Sequence, residues 1–593
     1  MRRYLLTLAS LLVVVAIPAN VMPLGQTAAA PSGSMEPKSA ERLALQRGQD
    51  AVKNGDITRA RAEFEKAVRL SPNNAEAQSA LGWVLAQQGE VNAAVTHLQV
   101  AIRVKPTFVD ARLTLAGVFF QQGKLADAEQ ELRTAVKTAP GNAEAHRMLA
   151  KLLSQRPGDE ALSEMRRAVE LAPERADYRD ELGSILAQHS QFADAEAAFK
   201  EALHLESNLE QAHFHLGVVF LQDQHLDEAA AELAKAVALA PQDATAHYYL
   251  AKTFAAQSQN SNALQELRKA ASLKPDWFEL QMELGLASRR AGDAESAVAA
   301  FGEAVKLRPQ DAEAYNKLGL ALIQKGDAKS AIAKFETAIR LHPDDGTLHG
   351  NLALAYMQSA DFDAAIAELE AGLKLAPQDA SLHYNLGLAY KLKDQLDKAV
   401  VELQNAIQLQ PDLADAHYTL GVLFWQRGEF DQAGGELKKA IQGQPNYAEA
   451  HYTLGTVFKQ QGKLPESAAE LREAIRLQPD FAGAHTTLAA VLRQLGDAQG
   501  ASEEAKAGAQ IAASSKDLQA ATFSTNSGKR LLAGGDVDGA IAQFRSAINS
   551  APNYATAHYQ LALALRQQGQ KDAAKEEFQK AAELDPQLTP PAP

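Results

Sequence analysis

Histidine is the residue type whose spacing first suggests chemistry in this chain. Nine of the fifteen histidines recur at nearly regular steps along the sequence: His146, His213, His247, His349, His383, His417, His451, His485 and His558. A row of imidazoles could hold a metal ion or relay protons. Zinc, however, needs nitrogen ligands at about 2.0–2.1 Å, whereas packed helices lie about 8–10 Å apart. We therefore interpret the row as a partly buried packing position with a weak pH sensitivity.

Other reaction centres leave no signature in the sequence. Gly-Lys pairs at 123–124, 462–463 and 528–529 are followed by Leu or Arg instead of Ser or Thr, so they are not phosphate-binding loops. Neither H-E-x-x-H nor G-x-S-x-G occurs, and the absence of cysteine removes thiolate nucleophiles and Cys-ligated metals. We predict that the chain is not an enzyme and that it uses no cofactor and no metal.

The composition limits which class of partner the chain can bind. The chain has 593 residues, of which 46% are apolar and 22% charged, so it can form a packed fold in water. Lys plus Arg number 59 against 73 Asp plus Glu, a net charge of −14. A general nucleic-acid binder needs a basic surface. The sequence therefore predicts no nucleic-acid partner, and it leaves the oligomeric state open.

The segment 1–30 is predicted to be a secretory signal peptide. A basic Met-Arg-Arg start precedes the apolar run Tyr4–Ile17, which is too short for a membrane span, since a spanning helix needs about 20 residues. Cleavage is expected after Ala30, with Ala19 as a second candidate, and an uncleaved N-terminal anchor is the alternative. Residues 31–40 are a predicted flexible linker. We expect an exported protein, periplasmic or secreted and of bacterial origin, without stable membrane insertion once the signal is removed.

The sequence contains an internal repeat with a period of about 34 residues. This repeat predicts the helices that position any functional side chain. Proline marks it at positions 72, 106, 140, 241, 275, 309, 343, 377, 411, 445 and 479. Sixteen repeats fit between Glu41 and Leu588, with one deletion near 157–158 and an insertion at 516–520.

Each repeat is predicted to form two helices. In the repeat 312–345, positions 4, 7, 8 and 11 lie on one helical face and positions 20, 24, 27 and 30 form a second stripe. A Gly-Asp turn separates them, Pro343 ends the second helix, and Asp345 is a predicted N-cap of the next. The same N-cap slot holds Asn74, Asn142, Asp243, Asp311 and Asp379.

These positions resemble the tetratricopeptide repeat (TPR). Position 8 is Gly or Ala in all sixteen repeats, position 7 is Leu in fourteen, and position 20 is Ala in fifteen. The resemblance implies an all-α fold, a right-handed α-solenoid of about sixteen helix-turn-helix units. The array also looks like the repeat domain of O-linked N-acetylglucosamine transferase, without its catalytic domain. Only Asn351 and Asn385 match the asparagine ladder of that family.

The resemblance implies a concave surface lined by positions 2, 5, 6, 9, 12 and 13 of each first helix. The candidate peptide-binding residues are Asn351, Gln358, Tyr384, Asn385, Tyr418, Trp425, Gln426, Tyr452 and Gln460. Aromatic faces and side-chain amides can hold a peptide backbone without requiring one sequence. The alternative is a polar, solvated face with incidental tyrosines. Acidic residues at position 2, such as Glu313 and Glu449, disfavour the TPR carboxylate clamp.

The predicted organisation has two arrays. Residues 41–515 form repeats 1 to 14, residues 516–520 form an insertion that makes a soft joint, and residues 521–588 form repeats 15 and 16. The last helix is a predicted cap, and 589–593 is a Pro-rich tail.

Three functions remain open at this point. The first is an exported, non-enzymatic scaffold that binds protein segments. The second is a subunit of an envelope secretion or polysaccharide-export assembly. The third, which the absence of a catalytic domain disfavours, is an accessory to a glycosyltransferase.

Overall fold

The computed structural model describes residues 37–586 and Leu588. The predicted signal peptide and Pro-rich tail lie outside these residues, as does most of the predicted linker. The end of that linker is helical, because the first helix begins at Pro37. Proline suits the first turn of a helix, where its missing N–H has no partner to lose.

The described residues contain 31 α-helices and no strand, which confirms the predicted all-α fold. They fall into two compact units, divided between Arg308 and Pro309. The described helices of the N-terminal unit are Pro37–Lys53, Ile57–Leu70, Ala75–Gln87, Val91–Val104, Val109–Gln121, Leu125–Thr138, Ala143–Leu153, Glu160–Leu171, Ala176–Gln188, Phe192–Leu205, Glu210–Gln222, Leu226–Leu239, Ala244–Ala256, Asn260–Leu273, Phe278–Arg290 and Ala294–Leu307. They form repeats 1 to 8.

The C-terminal unit holds repeats 9 to 16. Its described helices are Ala312–Lys325, Ala328–Leu341, Gly346–Gln358, Phe362–Leu375, Ala380–Leu392, Leu396–Leu409, Ala414–Gln426, Phe430–Gly443, Ala448–Gln460, Leu464–Leu477, Ala482–Gln494, Ala498–Ala533, Val537–Ser550, Ala555–Gln567 and Lys571–Leu584. Within each unit, contacts run mainly between helices that are adjacent in the sequence. This is the stacking of a helical solenoid.

Close packing inside each hairpin explains the small residue at position 8. A Cβ added at Gly319 would lie 2.5 Å from a ring carbon of Phe335, and one at Gly421 would lie 2.8 Å from Cγ of Leu437. The Phe335 side chain is fully buried, which contributes about 1.5–3 kcal/mol. The hairpin therefore closes around a large residue at position 24 that meets a small one at position 8.

Turns and caps fix the length of each first helix. Gly326 ends one helix in the left-handed conformation, with φ of 85°. Asp345 then caps the next repeat, since its carboxylate accepts a hydrogen bond from the backbone N–H of Thr347. The other five predicted N-caps make the same type of bond, which confirms the cap predictions: Asn74, Asn142, Asp243, Asp311 and Asp379.

The repeat pattern changes at Ala498–Ala533, a single helix of 36 residues. The second helix of repeat 14, the inserted residues 516–520 and the first helix of repeat 15 are continuous. Ala513 stands where fourteen other repeats have proline, and residues 509–520 contain neither proline nor glycine, so nothing in this stretch breaks the helix. Between Ala501 and Ala521, Gly508 is the one buried residue. The softness of this joint stays a prediction.

None of the described helices is both long and apolar enough to cross a bilayer.

Candidate functional site

The candidate residues lie on the first helices of repeats 10 to 13. Each helix buries a leucine at position 7 on its core side: Leu352, Leu386, Leu420 and Leu454. Because side chains repeat about every 3.6 residues, positions 5, 6, 12 and 13 point away from that leucine. We call this surface the first-helix face. Its three glutamines, Gln358, Gln426 and Gln460, are exposed, and the other six candidates are half-buried.

The tyrosines at position 5 are partly used in packing between repeats. The ring of Tyr418 lies 4.9 Å from that of Tyr447, and the ring of Tyr452 lies 4.7 Å from that of Phe481, centroid to centroid. Tyr384 packs in the same cluster as Leu413. In all three cases the neighbour is the N-cap residue of the next first helix. These rings are therefore held in place by the fold.

Burial and one hydrogen bond set the polar ends of this cluster. Burial raises the pKa of Tyr384, and the Thr419 side chain lowers that pKa by a smaller amount. The Tyr447 hydroxyl donates to Oδ1 of Asp415 at 3.1 Å. Burial, together with the charge of Asp415, raises the pKa of Tyr447 well above its usual value. Both phenols are therefore protonated at neutral pH and act as hydrogen-bonding groups.

The amides divide into two groups. Asn351 donates from Nδ2 to Oδ1 of Asn316 at 2.8 Å, and Gln358 donates from Nε2 to the carbonyl of Ile323 at 3.1 Å, so both brace the preceding repeat. Gln426 and Gln460 are exposed, and Trp425 packs at the edge of the tyrosine cluster. The structure therefore packs Tyr384, Tyr418 and Trp425 against one core cluster and Tyr452 against the next. Asn385, Gln426 and Gln460 share only the first-helix face with them.

The histidine row has a role that the sequence interpretation missed. Nδ1 of each of the nine histidines lies 2.5–2.7 Å from a glutamate on the second helix of its repeat. The pairs are His146–Glu164, His213–Glu232, His247–Glu266, His349–Glu368, His383–Glu402, His417–Glu436, His451–Glu470, His485–Glu504 and His558–Glu577. The available signal was a glutamate that follows every such histidine at a separation of 18 or 19 positions.

The same rings also reach the preceding repeat. Nε2 of eight of them lies 2.8–3.2 Å from a backbone carbonyl in the turn before its helix, as in His417 to Pro411. Gln78 and Gln281 fill this position in repeats 2 and 8 and donate to the equivalent proline carbonyls. Position 4 is therefore a polar clamp between two helices and the preceding turn, and not only a packing position.

One further cluster, on repeats 5 and 6, resembles a catalytic triad in residue types alone. Asp180 Oδ1 lies 2.9 Å from His215 Nδ1, and Ser184 Oγ lies 3.4 Å from the same nitrogen. A Ser-His-Asp relay needs the serine on the opposite ring nitrogen, so this arrangement cannot activate Ser184 in that way. Burial alone would lower the pKa of His215, but the charge and hydrogen bond of Asp180 outweigh burial and raise it. Across residues 37–586, no group of three metal-ligating side chains lies close enough to hold an ion.

Stacked two-helix repeats of this length define a helical-repeat solenoid. The sequence matches a tetratricopeptide repeat family at residues 45–107, 152–210, 181–244, 214–276, 282–346 and 525–589, which together span more than half of the chain. A second tetratricopeptide repeat family matches at 85–152 and 322–387, and a TPR repeat family matches at 390–428, 423–462 and 456–496. The chain belongs to the tetratricopeptide repeat proteins, and such repeats support an interaction scaffold.

Solved structures with similarity are also TPR proteins. The Cut9–Hcn1 tetramer of APC/C matches with 15% identity and a TM-score of 0.34, over 88% of this chain and 96% of that one. MamA matches with 27% identity and a TM-score of 0.26, over 28% of this chain and 96% of that one. YrrB, described as a TPR protein with an unusual peptide-binding site, matches with 23% identity and a TM-score of 0.27, over 32% and 97%. No curated protein matches the chain.

Proposed function

We propose that the protein is an exported, non-enzymatic scaffold that binds extended protein segments on the first-helix face of repeats 10 to 13. The observation that carries the proposal is the cluster of half-buried tyrosines flanked by exposed amides on adjacent first helices. An aromatic contact contributes about 0.5–1.5 kcal/mol beyond its buried area. Side-chain amides both donate and accept, so they match the alternating groups of a peptide backbone.

Preorganisation favours binding here. Tyr418 and Tyr452 already pack against the tilted rings of Tyr447 and Phe481, so a ligand does not have to immobilise them. Immobilising a flexible side chain at an interface costs about 0.5–1.5 kcal/mol. Asp415 and Glu449 on the same face disfavour a ligand that docks through its C-terminal carboxylate. The favoured ligand is an internal, extended segment.

Binding is tested with exposed glutamines, since truncating the stacked tyrosines would also damage the repeat junctions. Peptides are selected from a displayed random library on the purified chain, and their Kd is measured by fluorescence anisotropy. The double variant Gln426→Ala/Gln460→Ala is expected to weaken binding by about tenfold, or about 1.4 kcal/mol. The matched control Gln408→Ala/Gln442→Ala removes two exposed glutamines from second helices and is expected to leave Kd unchanged. Equal effects of the two pairs would contradict the proposal.

Export is tested separately. Fractionation of a native host, followed by N-terminal sequencing, is expected to recover a chain that begins after Ala30 or Ala19. A cytoplasmic chain that begins at Met1 would refute export without bearing on peptide binding.

A further inference from the structure

Three basic side chains occupy position 12 of the first helices in repeats 11 to 14. They are Lys391, Lys459 and Arg493, with Trp425 at the same position of repeat 12. We call the three basic residues the cationic row. In repeats 1 to 3, 5 to 7, 9 and 10 this position is apolar. The cationic row therefore coincides with the repeats that carry the tyrosines at position 5.

The cationic row runs beside those tyrosines on the first-helix face. Position 12 follows position 5 by seven residues, which is about 10 Å along a helix and within about 20° around it. The tyrosines thus lie nearer the start of each first helix and the cations nearer its end. The first helices of repeats 12 and 13, and of 13 and 14, contact each other, and packed helices lie about 8–10 Å apart. Lys459 and Arg493 follow each other at about that spacing.

The charges of the cationic row are not paired within the chain. Its three members form no ion pair with another side chain in the part of the chain that the structure describes. Basic residues two positions later behave differently, since Lys393 pairs with Asp363 and Arg427 pairs with Asp397. The row therefore keeps its charge available to a ligand.

The row is also partly withdrawn from water. Lys391 and Lys459 are half-buried, whereas Arg493 is exposed. Burial lowers the pKa of Lys391 below its usual value. A buried cation without a counter-ion is unfavourable, and a carboxylate that a ligand brings would offset this penalty.

The carboxylates of these first helices lie too far away to serve as counter-ions. Asp415 and Glu449 are the only acidic residues in the four helices, and both occupy position 2. Position 2 is about 15 Å from position 12 along a helix. This distance exceeds the screening length of about 8 Å in physiological salt. The two ends of the first-helix face thus differ in charge, and the cationic end favours an anionic ligand group.

We infer that the segment bound on the first-helix face is acidic, with Asp or Glu side chains that pair with Lys391, Lys459 and Arg493. This inference rests on the proposed function, since it names the chemistry of the ligand for the same face. An extended chain rises about 3.3 Å per residue, so carboxylates about three residues apart match neighbouring repeats at about 8–10 Å. An apolar side chain of the ligand between them meets Trp425.

A peptide suits this surface better than a uniform polyanion does. Trp425 interrupts the cationic row, so an evenly charged polymer would place a charge on an aromatic ring there. Asp415 and Glu449 repel a polyanion that spreads toward the start of the helices. The exposed glutamines Gln426 and Gln460 can both donate to and accept from a peptide backbone.

The first test is what the chain selects from a displayed library of random twelve-residue peptides. Peptides selected on the parent chain are expected to be enriched at least threefold in Asp and Glu, and those selected on Lys391→Gln/Lys459→Gln are not. The control Lys374→Gln/Lys438→Gln removes two exposed lysines from second helices, so it changes the net charge equally and should keep the enrichment. Equal enrichment on the parent and on Lys391→Gln/Lys459→Gln, or none on the parent, would overturn the inference.

The second test measures Kd by fluorescence anisotropy for one acidic selected peptide and for its counterpart with Gln and Asn in place of Glu and Asp. Neutralising the peptide and neutralising the two lysines are each expected to raise Kd about tenfold. Combining both changes should add little, because they remove the same ion pairs. Lys391→Arg/Lys459→Arg should bind as the parent does. Circular dichroism of each variant should match that of the parent, since the two lysines have no partner to lose.

Three outcomes separate this inference from the proposed function. A peptide that loses affinity in Gln426→Ala/Gln460→Ala but not in Lys391→Gln/Lys459→Gln would overturn the inference and leave the proposed function standing. Displacement of the peptide by alginate at equal carboxylate concentration would assign the cationic row to polyanions and would also overturn it. A library that yields no binding peptide would refute the proposed function, and the inference with it.

Discussion

The histidine clamp predicts a local loss of stability in repeat 12 when His417 is replaced. His417 is 3% exposed, with Nδ1 2.5 Å from Oε2 of Glu436 and Nε2 3.0 Å from the Pro411 carbonyl. Leucine at this position keeps apolar volume but removes both bonds. A hydrogen bond to a charged group contributes about 1.5–3 kcal/mol and a neutral one about 0.5–1.5 kcal/mol. Glu436 keeps Lys439 as a partner at 2.9 Å, which limits the loss. We expect His417→Leu to destabilise the repeat by about 2–3 kcal/mol.

The chain provides its own matched control for this change. Gln78 and Gln281 occupy the same position and donate to the proline carbonyl at 2.7 and 3.0 Å. His417→Gln should therefore keep the carbonyl bond and lose only the bond to Glu436, so its loss should be smaller than that of His417→Leu by about 0.5–1.5 kcal/mol.

Hydrogen exchange of the helix Ala414–Gln426, read by mass spectrometry, measures the effect locally, because stability in repeat arrays is distributed over repeats and their interfaces. At about 1.4 kcal/mol per tenfold, protection should fall by a factor of about 30 to 150 for His417→Leu, and the fall for His417→Gln should be about 2 to 12 times smaller. Unchanged protection in His417→Leu, or equal loss in both variants, would refute the clamp.

Three other predictions concern separate parts of the chain. Since the pKa of His215 is raised in the folded protein, its contribution to stability is full below the ordinary value of about 6.5 and is lost as the pH rises through the higher folded value. Amide hydrogen exchange in the helix Glu210–Gln222, corrected for intrinsic rates, should therefore be faster at pH 9 than at pH 6. The Asp180→Asn variant should lack this difference, and a pH dependence that persists in the variant would contradict the prediction. Gly421→Val should destabilise by about 1–3 kcal/mol in urea unfolding, because valine adds two γ-methyl groups to a Cβ that already crowds Leu437. Gly421→Ala adds the Cβ alone, which other repeats accommodate as alanine at this position, so it should change stability by less than about 1 kcal/mol; equal losses would contradict this reasoning. Amides of 512–520 should exchange faster than those of neighbouring helices, since their side chains are all exposed, and uniform protection would contradict the soft joint.

Much of the fold could be predicted because each repeat encodes its own boundaries. The prolines that end second helices, the Asp and Asn caps and the small residue at position 8 act through local geometry or through one neighbouring helix. The continuous helix Ala498–Ala533 could not be predicted from the 34-residue period. The missing proline shows only that a helix end is absent, and it does not show whether a loop or a helix connects the two repeats. Ala513 signalled the loss of a stop, and continuous helix formation followed from the residues around it.

The candidate site was predicted less completely. The face of Tyr384, Tyr418 and Tyr452 follows from helical periodicity, but their partners are set by how one repeat stacks on the next. The contact between the tilted rings of Tyr418 and Tyr447 joins one repeat to the start of the next, and the bond between His417 and Glu436 joins the two helices of one repeat. Both types of residue pair recur along the sequence, but their contacts form only when each hairpin folds and stacks on the next.

The most direct test of the account is to locate a bound peptide on the chain. A photo-crosslinking amino acid is placed at Gln426 on the first-helix face or at Gln442 on a second helix, and each protein is irradiated with the same selected peptide. The account predicts efficient crosslinking from position 426 and little from position 442. Crosslinking from position 442 that equals or exceeds that from position 426 would contradict the claim that the first-helix face binds the ligand.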